Sequence, residues 1–489
     1  MANKQEPQIP ISSYLKNNEQ VMDKRAGVGT SFDLGYRKFP VLKTNVSMYY
    51  VTGLCETPVI VELMKELLEL NHLDKDEDIF EQIHDHLVHQ QVEIVETIDD
   101  ALVEMLSGLV VFFIDGERKA LVVDVRTYPG RPPQEPDTEK VVRGSRDGYT
   151  ENIIENTALT RRRVRDGRLR NEIMRVGERS KTDICLSYID GVADPGLVKL
   201  LKKELENIKI DGLSMADKTV EEFLVHQGRT PFPLVRYTER PDVASAHLLE
   251  GHVLVMVDTS PSMIIMPTTY FHHIQHAEEF RQSPITGSFI RWMRFLGILA
   301  SVFLLPLWLV LVLDPSLLPE QLAFIGPSEE SSLPVFVQIL IADIGIEFLR
   351  IAAIHTPTPL STAMGLIAAV LIGQIAIDVG LFIPEVILYV AIAAIGTFAT
   401  PSYELSVANK LCRLLLVLAT AMFQVKGLVI GGMLYILLLV ATKTLNTPYL
   451  WPFIPFNAKA LFQVLIRMSI PFTKYRPSVV HPQNNKRQP

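Results

Sequence analysis

The sequence predicts a soluble amino-terminal module made of two repeated α/β subdomains, followed by an α-helical polytopic membrane domain. Three observations carry that expectation. Charge is divided unevenly: residues 1–294 hold 36 of the 47 Lys and Arg and 46 of the 55 Asp and Glu, against 11 and 9 in residues 295–489. Two pairs of stretches in the first part match each other at nearly constant spacing. The second part opens on FLGILASVFLLPLWLVLVL, Phe295 to Leu313, 19 residues without a charge. At 489 residues the chain is also too long for one compact core.

The first element, 1–39, is an extension. Its opening, MANKQEPQIP, lacks the apolar core of a signal peptide, so the soluble module is expected on the cytoplasmic side. Subdomain one (40–130) and subdomain two (180–275) follow from the repeat. SMYYVTGLCETPVIVELMKELLEL from Ser47 matches CLSYIDGVADPGLVKLLKKELENI from Cys185 at an offset of 138, with Tyr50, Gly53 and Leu67 falling on Tyr188, Gly191 and Leu205. Each copy reads as an apolar strand, a glycine turn and apolar residues at helical spacing. ETIDDALVEMLSGLVVFFIDG, 96–116, matches ERPDVASAHLLEGHVLVMVDT, 239–259, at an offset of 143, with Gly108 on Gly251 and Asp115 on Asp258. A repeat of this kind speaks to architecture, not to chemistry.

Between the subdomains, 131–179 starts proline-rich and becomes a strongly basic helix candidate. Arg161, Arg162, Arg163 and Arg165 are candidates for contact with a neighbouring subunit or anionic lipid, beside the plainer reading of a solvated helix face. Nucleic acid is not expected as a partner, because this half is net acidic.

Residues 276–294 form a juxtamembrane connector. Arg281, Arg291 and Arg294 precede the first span, and the loop from Asp314 to Leu333 holds four acids and no base, which puts the soluble module inside. Further spans are expected at Pro334–Ile354, Ser361–Ile383, Val386–Ala399, Leu411–Val425 and Leu428–Ala441, giving five or six helices over 295–456. A loop at 401–413 and a hairpin at Lys426-Gly427 would leave a basic cytoplasmic tail, 457–489. A single helix from Leu411 to Ala441 would export that tail instead. NTPYLWPFIPF, Asn446 to Phe456, reads as an interfacial segment.

The span Pro334–Ile354 carries Asp343, Glu347 and Arg350, which fall within about 60° of arc on a helix. Its twelve Val, Ile, Leu and Phe offer roughly 5 kcal/mol of insertion free energy, whereas three central charges cost roughly 8 to 10. Another helix, another subunit or water must therefore face them. A mutually satisfied Glu347–Arg350 pair, a water-lined ion path ringed by acids, and a proton-coupled carrier all remain open. Gln374 and Asp378, one turn apart in the next span, are weaker candidates for the same path.

Three motifs are set aside. Asp258, Ser260 and Ser262 have the D-x-S-x-S spacing of some Mg²⁺ sites, but the matching FIDGERKA of the first repeat lacks both hydroxyls, so a turn is simpler. His272 and His276 of FHHIQH lack a third ligand, which leaves solvated or capping roles. GERSKT, Gly177 to Thr182, has Ser180 where a phosphate loop needs glycine. Three scattered cysteines give neither a disulfide framework nor a zinc site. No catalytic residue, metal or other cofactor is expected.

Several stretches resemble the GerA family of bacterial spore germination proteins, A-subunit type, over nearly the whole chain. They are Glu135 to Asp166, VGERSKTDICLSYIDGVADP from Val176, TERPD from Thr238, LLEGHVLVMVD from Leu248 and TPYLWPF from Thr447. MYYVTGLC and Pro267 to Pro284 are similar to the sporulation-stage branch of that family. The resemblance implies residence in the spore inner membrane, a homo-oligomer of pentamer-like order, other spore inner-membrane germination proteins as partners, and an ion-conducting role in germination. A non-conducting scaffold, a nutrient-receptor A-type subunit and a small-solute carrier are the alternatives.

Overall fold

The computed structural model describes residues 8–72, 79–87, 92–127, 139–225, 227–228, 230–328, 333–355 and 371–488. They form two compact units: Met1–Gln227 with Val235–Thr268 and Ser469–Pro489, and Gly228–Leu234 with Thr269–Met468.

In the first unit the repeat appears as two five-stranded sheets of the same topology. β1 (Leu34–Val41), β2 (Thr44–Val51), β3 (Val92–Val95), β4 (Val110–Ile114) and β5 (Ala120–Val123) lie in the order β1-β2-β4-β5-β3. β6 (Leu169–Val176), β7 (Thr182–Ile189), β8 (Arg236–Thr238), β9 (Val253–Val257) and β10 (Met263–Met266) repeat it as β6-β7-β9-β10-β8. All described pairings within the two sheets are antiparallel. Even the register is kept, since Val46 faces Ile114 where Ile184 faces Val257.

Alternation along β4 explains why it is apolar throughout. Val110, Phe112 and Ile114 enter one core with Ile60, Leu63 and Leu67 of α2 (Thr57–Glu69), whereas Val111 and Phe113 enter a second core with Met22 of α1 (Leu15–Ala26). Helices cover both faces, so neither can be polar. Gly53 (φ 85°) and Gly191 (φ 74°) hold the left-handed turn after the second strand of each copy, a conformation in which a Cβ is strained.

The repeat extends further toward the amino terminus than the expected boundaries of 40 and 180. The Asn18 side chain accepts from Ser12 N and donates to Ser12 O at 2.8 and 2.7 Å, and Asn156, 138 residues on, does the same to Thr150 at 2.8 and 2.6 Å. Asp115 Oδ1 accepts from Leu15 N at the start of α1, and Asp258 Oδ1 accepts from Ile153 N in the corresponding helix, Ile153–Arg163. Asp258 is thus a helix cap with an exact counterpart in the first copy, in keeping with a turn rather than a metal ligand. GERSKT is the hairpin loop joining β6 and β7.

The basic segment is only partly a surface. Arg161 is fully buried, with Nε and Nη2 donating to the two Asp33 carboxylate oxygens at 2.8 and 3.2 Å, so it cannot touch lipid or a neighbouring subunit in this fold. Arg163 donates to Asp147 and Ser145. Arg162 and Arg165 are exposed. The carboxy-terminal stretch is also folded rather than a solvated tail: Val479 and Val480 are buried, Gln483 N donates to Val192 O, and Arg487 pairs with Glu250.

In the second unit α3 (Pro284–Leu313) begins eleven residues before the expected span, its first turn capped by Ser283. It is followed by α4 (Val335–His355), α5 (Pro384–Phe398) and α6 (Tyr403–Ala441). α3 and α6 are long and apolar enough to cross a membrane, with mean hydropathy 2.7 and 2.0 over an 18-residue window, α6 being taken as one element despite its break at Gln424. The expected span Ser361–Ile383 lies partly outside the described residues. Its described part is a π-turn, Leu371–Ile375, then Ala376–Asp378, ending at Gly380 with φ 73°, so no continuous helix reaches Ile383.

α6 replaces the expected 401–413 loop with helix, because Ser402 caps Leu405 N and no residue up to 413 breaks the pattern. It is not one straight rod. Gln424 has φ 50° and ψ −131°, and the chain folds back there. Tyr435 Oη donates to Asn409 Oδ1 at 3.1 Å across 26 residues, a separation of about 39 Å on a straight helix. A Cβ on Gly427 would collide with Ala419 O, which is why glycine sits at this close approach. The expected hairpin at 426–427 is therefore present, turned two to three residues earlier.

Candidate functional site

The polar residues of α4 form a stripe at i, i+4 and i+7: Asp343, Glu347 and Arg350. α6 carries a matching stripe at the same spacing, Ser406, Lys410 and Arg413. Running antiparallel, the two meet rung by rung. Arg413 grips Asp343 bidentately, Nε to Oδ2 at 3.0 Å and Nη2 to Oδ1 at 2.6 Å. Lys410 Nζ reaches Glu347 Oε2 at 2.8 Å, Asp343 O at 2.9 Å and Asp343 Oδ1 at 3.4 Å. Arg350 donates to Glu347 Oε1 and to Ser406 Oγ at 3.2 Å, and its guanidinium lies 4.9 Å from the Tyr403 ring centre.

Burial is deepest at the Asp343–Arg413 rung, and the Arg350 side chain is 10% exposed. Asp343 and Arg413 are 0% and 1% exposed, Lys410 is 6% exposed, and the Glu347 side chain is 24% exposed. Arg413 Nη1 also donates to Ser301 O at 2.7 Å and Thr397 Oγ1 at 3.2 Å, which ties α3 and α5 to the same guanidinium. One side chain therefore joins four helices. A buried bidentate pair with its remaining donors used is the arrangement in which Coulomb attraction can offset desolvation.

The opposite face of α4 shows why the charges must point inward. Ile341 and Phe348 are exposed about half a turn from Asp343 and Arg350, and Ile344 and Ile351, also exposed, lie about 80–120° from them. The polar partner demanded by the sequence is thus another helix of the same chain. The pairing Glu347–Arg350 exists, and Asp343, which it leaves over, is taken by Arg413. Gln374 and Asp378 are exposed and do not join the cluster. Lys410 and Arg413 were assigned to a loop from sequence, although the repeated i, i+4, i+7 spacing of 406, 410 and 413 was there to be matched to that of α4.

Elsewhere in this unit His272 Nδ1 accepts from Thr269 N at 3.0 Å and His276 Nδ1 from Glu278 N at 3.2 Å, so both are caps. Glu279, fully buried, is held by Arg291 at 2.7 Å and Arg294 at 2.8 Å, a second ion-pair group, at the start of α3.

A family model described as Bacillus/Clostridium GerA spore germination protein matches residues 21–479. The chain is 58% identical to Stage V sporulation protein AF of Bacillus subtilis (strain 168), over 100% of this chain and 99% of that protein. It is 27% identical to Spore germination protein KA of the same organism, over 99% of this chain and 90% of that protein. Among solved structures, the N-terminal domain of the A subunit of the Bacillus megaterium spore germinant receptor GerK3 matches at 29% identity and a TM-score of 0.42, covering 53% of this chain and 97% of that one. These relatives are named as sporulation and germination proteins rather than enzymes. Matched along almost its full length, the chain belongs to the GerA family of spore germination proteins.

Proposed function

We propose that this chain is a subunit of an oligomeric ion channel of the bacterial spore inner membrane, built from several copies and acting with other germination proteins to release ions during germination. The soluble repeats face the spore core, and the helices from 284 to 441 cross the membrane several times. The family and the names of the relatives support the setting; the charged ladder between α4 and α6 carries the conducting role. In this reading the ladder is a closed latch. Separating α4 from α6 frees Asp343 and Glu347, and repeated around an assembly the two acids make a cation-selective ring. Gln374 and Asp378, already exposed, supply a second polar ring. Arg162 and Arg165 are the proposed lipid or subunit contacts of the soluble module.

Reconstitution tests the proposal. Purified, folded and oligomeric protein in liposomes is expected to dissipate a potassium gradient; membranes that stay sealed under the same conditions would remove it. The second reading is a non-conducting scaffold, favoured by the mutual satisfaction of Asp343 and Arg413 inside one chain, which needs no lumen. Sealed vesicles would leave that reading in place.

A further inference from the structure

The ladder does not balance. Asp343 and Glu347 contribute two negative charges, and Arg350, Lys410 and Arg413 three positive ones. Among the described residues, Asp343 and Glu347 are the acids that pair with these three cations. Residues 353–372 contain no acid. Glu404 lies about 160° round α6 from Ser406, on the other face. Glu385 lies near the level of the first turn of α4, where Ile383 N donates to Gln338 Oε1 at 3.0 Å, and Arg350 lies twelve residues further on, about 18 Å along the helix.

The surplus falls at the Arg350 end of the ladder, where the Arg350 side chain is 10% exposed beside 24% for Glu347. Of the five N–H groups of Arg350, Glu347 and Ser406 take three among the described residues, which leaves two donors. The guanidinium sits against Tyr403, 54% exposed in the first turn of α6, where a helix leaves the membrane in the proposed topology. Exposed apolar rows suited to acyl chains run nearby: Ile344 and Ile351, about 100–120° round α4 from Arg350, and Val407 and Leu411 below Tyr403 on α6. A cation with spare planar donors, beside an aromatic ring and near two apolar rows, fits the phosphate and upper chain of one lipid.

We infer that Arg350 and Tyr403 form a binding site for the phosphate headgroup of an anionic phospholipid, which neutralises the ladder from outside the protein. The site rests on the membrane placement of α4 and α6, and it does not depend on conduction. Its test is lipid binding to the detergent-purified full chain, read by native mass spectrometry and by the lipid-dependent rise in unfolding temperature, with phosphatidylglycerol, phosphatidylcholine and inorganic phosphate as probes. The wild type is expected to take phosphatidylglycerol roughly fivefold more tightly than phosphatidylcholine and to ignore inorganic phosphate at matched concentration. Arg350→Gln removes the preference, and Tyr403→Leu, at an exposed ring that the fold can spare, reduces it. Persistence of the preference in both variants overturns the inference. So does an equal response to inorganic phosphate, which would make this a soluble-anion site. An Arg350→Gln chain that loses its assembly and keeps its lipid preference would assign the third charge to a carboxylate of a second copy, and that also overturns it. A conductance failure alone leaves the lipid result untouched, so the two readings fail separately.

Discussion

Asp343→Asn keeps the shape of the side chain and removes its charge, which leaves Arg413 ionised with 1% exposure and its bidentate partner gone. Breaking a buried pair on one side costs about 3–5 kcal/mol, because the surviving charge stays desolvated. Lys410 recovers little of this, since its ammonium is held by Glu347 at 2.8 Å and repels Arg413. A loss of 3 kcal/mol lowers the ratio of folded to unfolded protein about 150-fold. The apolar double variant Asp343→Leu/Arg413→Met removes both charges and leaves chiefly Ser301 O, which accepted from Arg413 at 2.7 Å, without its donor. One such carbonyl costs about 1–3 kcal/mol. The double variant is therefore expected to be no worse than either single one, with a coupling of about 2–4 kcal/mol in a double-mutant cycle. Unfolding in mixed micelles at rising denaturing detergent reads all four proteins. Single substitutions that each cost under about 1 kcal/mol, or costs that add in the double variant, would refute the buried pair as the join between α4 and α6.

Other predictions follow from the soluble module and its arginines. Arg161→Ala, which strands Asp33 in the core, should destabilise by about 3–5 kcal/mol in a thermal melt, while Arg162→Gln/Arg165→Gln stays within about 0.5 kcal/mol. Asp115→Ala and Asp258→Ala should each cost about 1 kcal/mol as lost helix caps, and Mg²⁺ should not shift the melt of the wild type; a Mg²⁺-dependent rise abolished by Asp258→Ala would restore the metal reading. Burial holds the His252 imidazole at about 4 and, together with Arg236, His247 well below its ordinary value. The unfolded chain then binds more protons between pH 6.5 and 4, so stability is complete above 6.5 and falls as the pH drops toward 4, by about 3 kcal/mol for His252 alone. A melt that is flat with pH across that window would contradict the buried neutral imidazoles.

Much of the soluble architecture was legible because repeats leave matching apolar runs and glycines. Offsets of 138 and 143 align β2 with β7 and β4 with β9 down to their register. What was missed lay outside those runs. The Asn18 and Asn156 loops depend on one polar residue each, and a single Asn gives no periodic signal. Arg161 read as surface because six arginines crowd one segment, whereas the Asp33 that buries it is 128 residues away. In the helical unit the charges of α4 announced a polar partner without naming it. The positive-inside rule drew Lys410 and Arg413 into a loop, when their actual role is to answer Asp343 and Glu347 from within a helix. Charge rules for topology assume that basic residues mark loops, and basic residues buried against acids between two helices violate that assumption.

The latch is tested most directly by the reversal potential of the reconstituted protein across a potassium chloride gradient, compared between wild type and Glu347→Gln, whose site is open enough for the fold to tolerate the change. The account predicts current that favours potassium in the wild type and a reversal potential displaced toward zero in the variant. Identical reversal potentials in the two, or no current from folded assemblies of either, would contradict it.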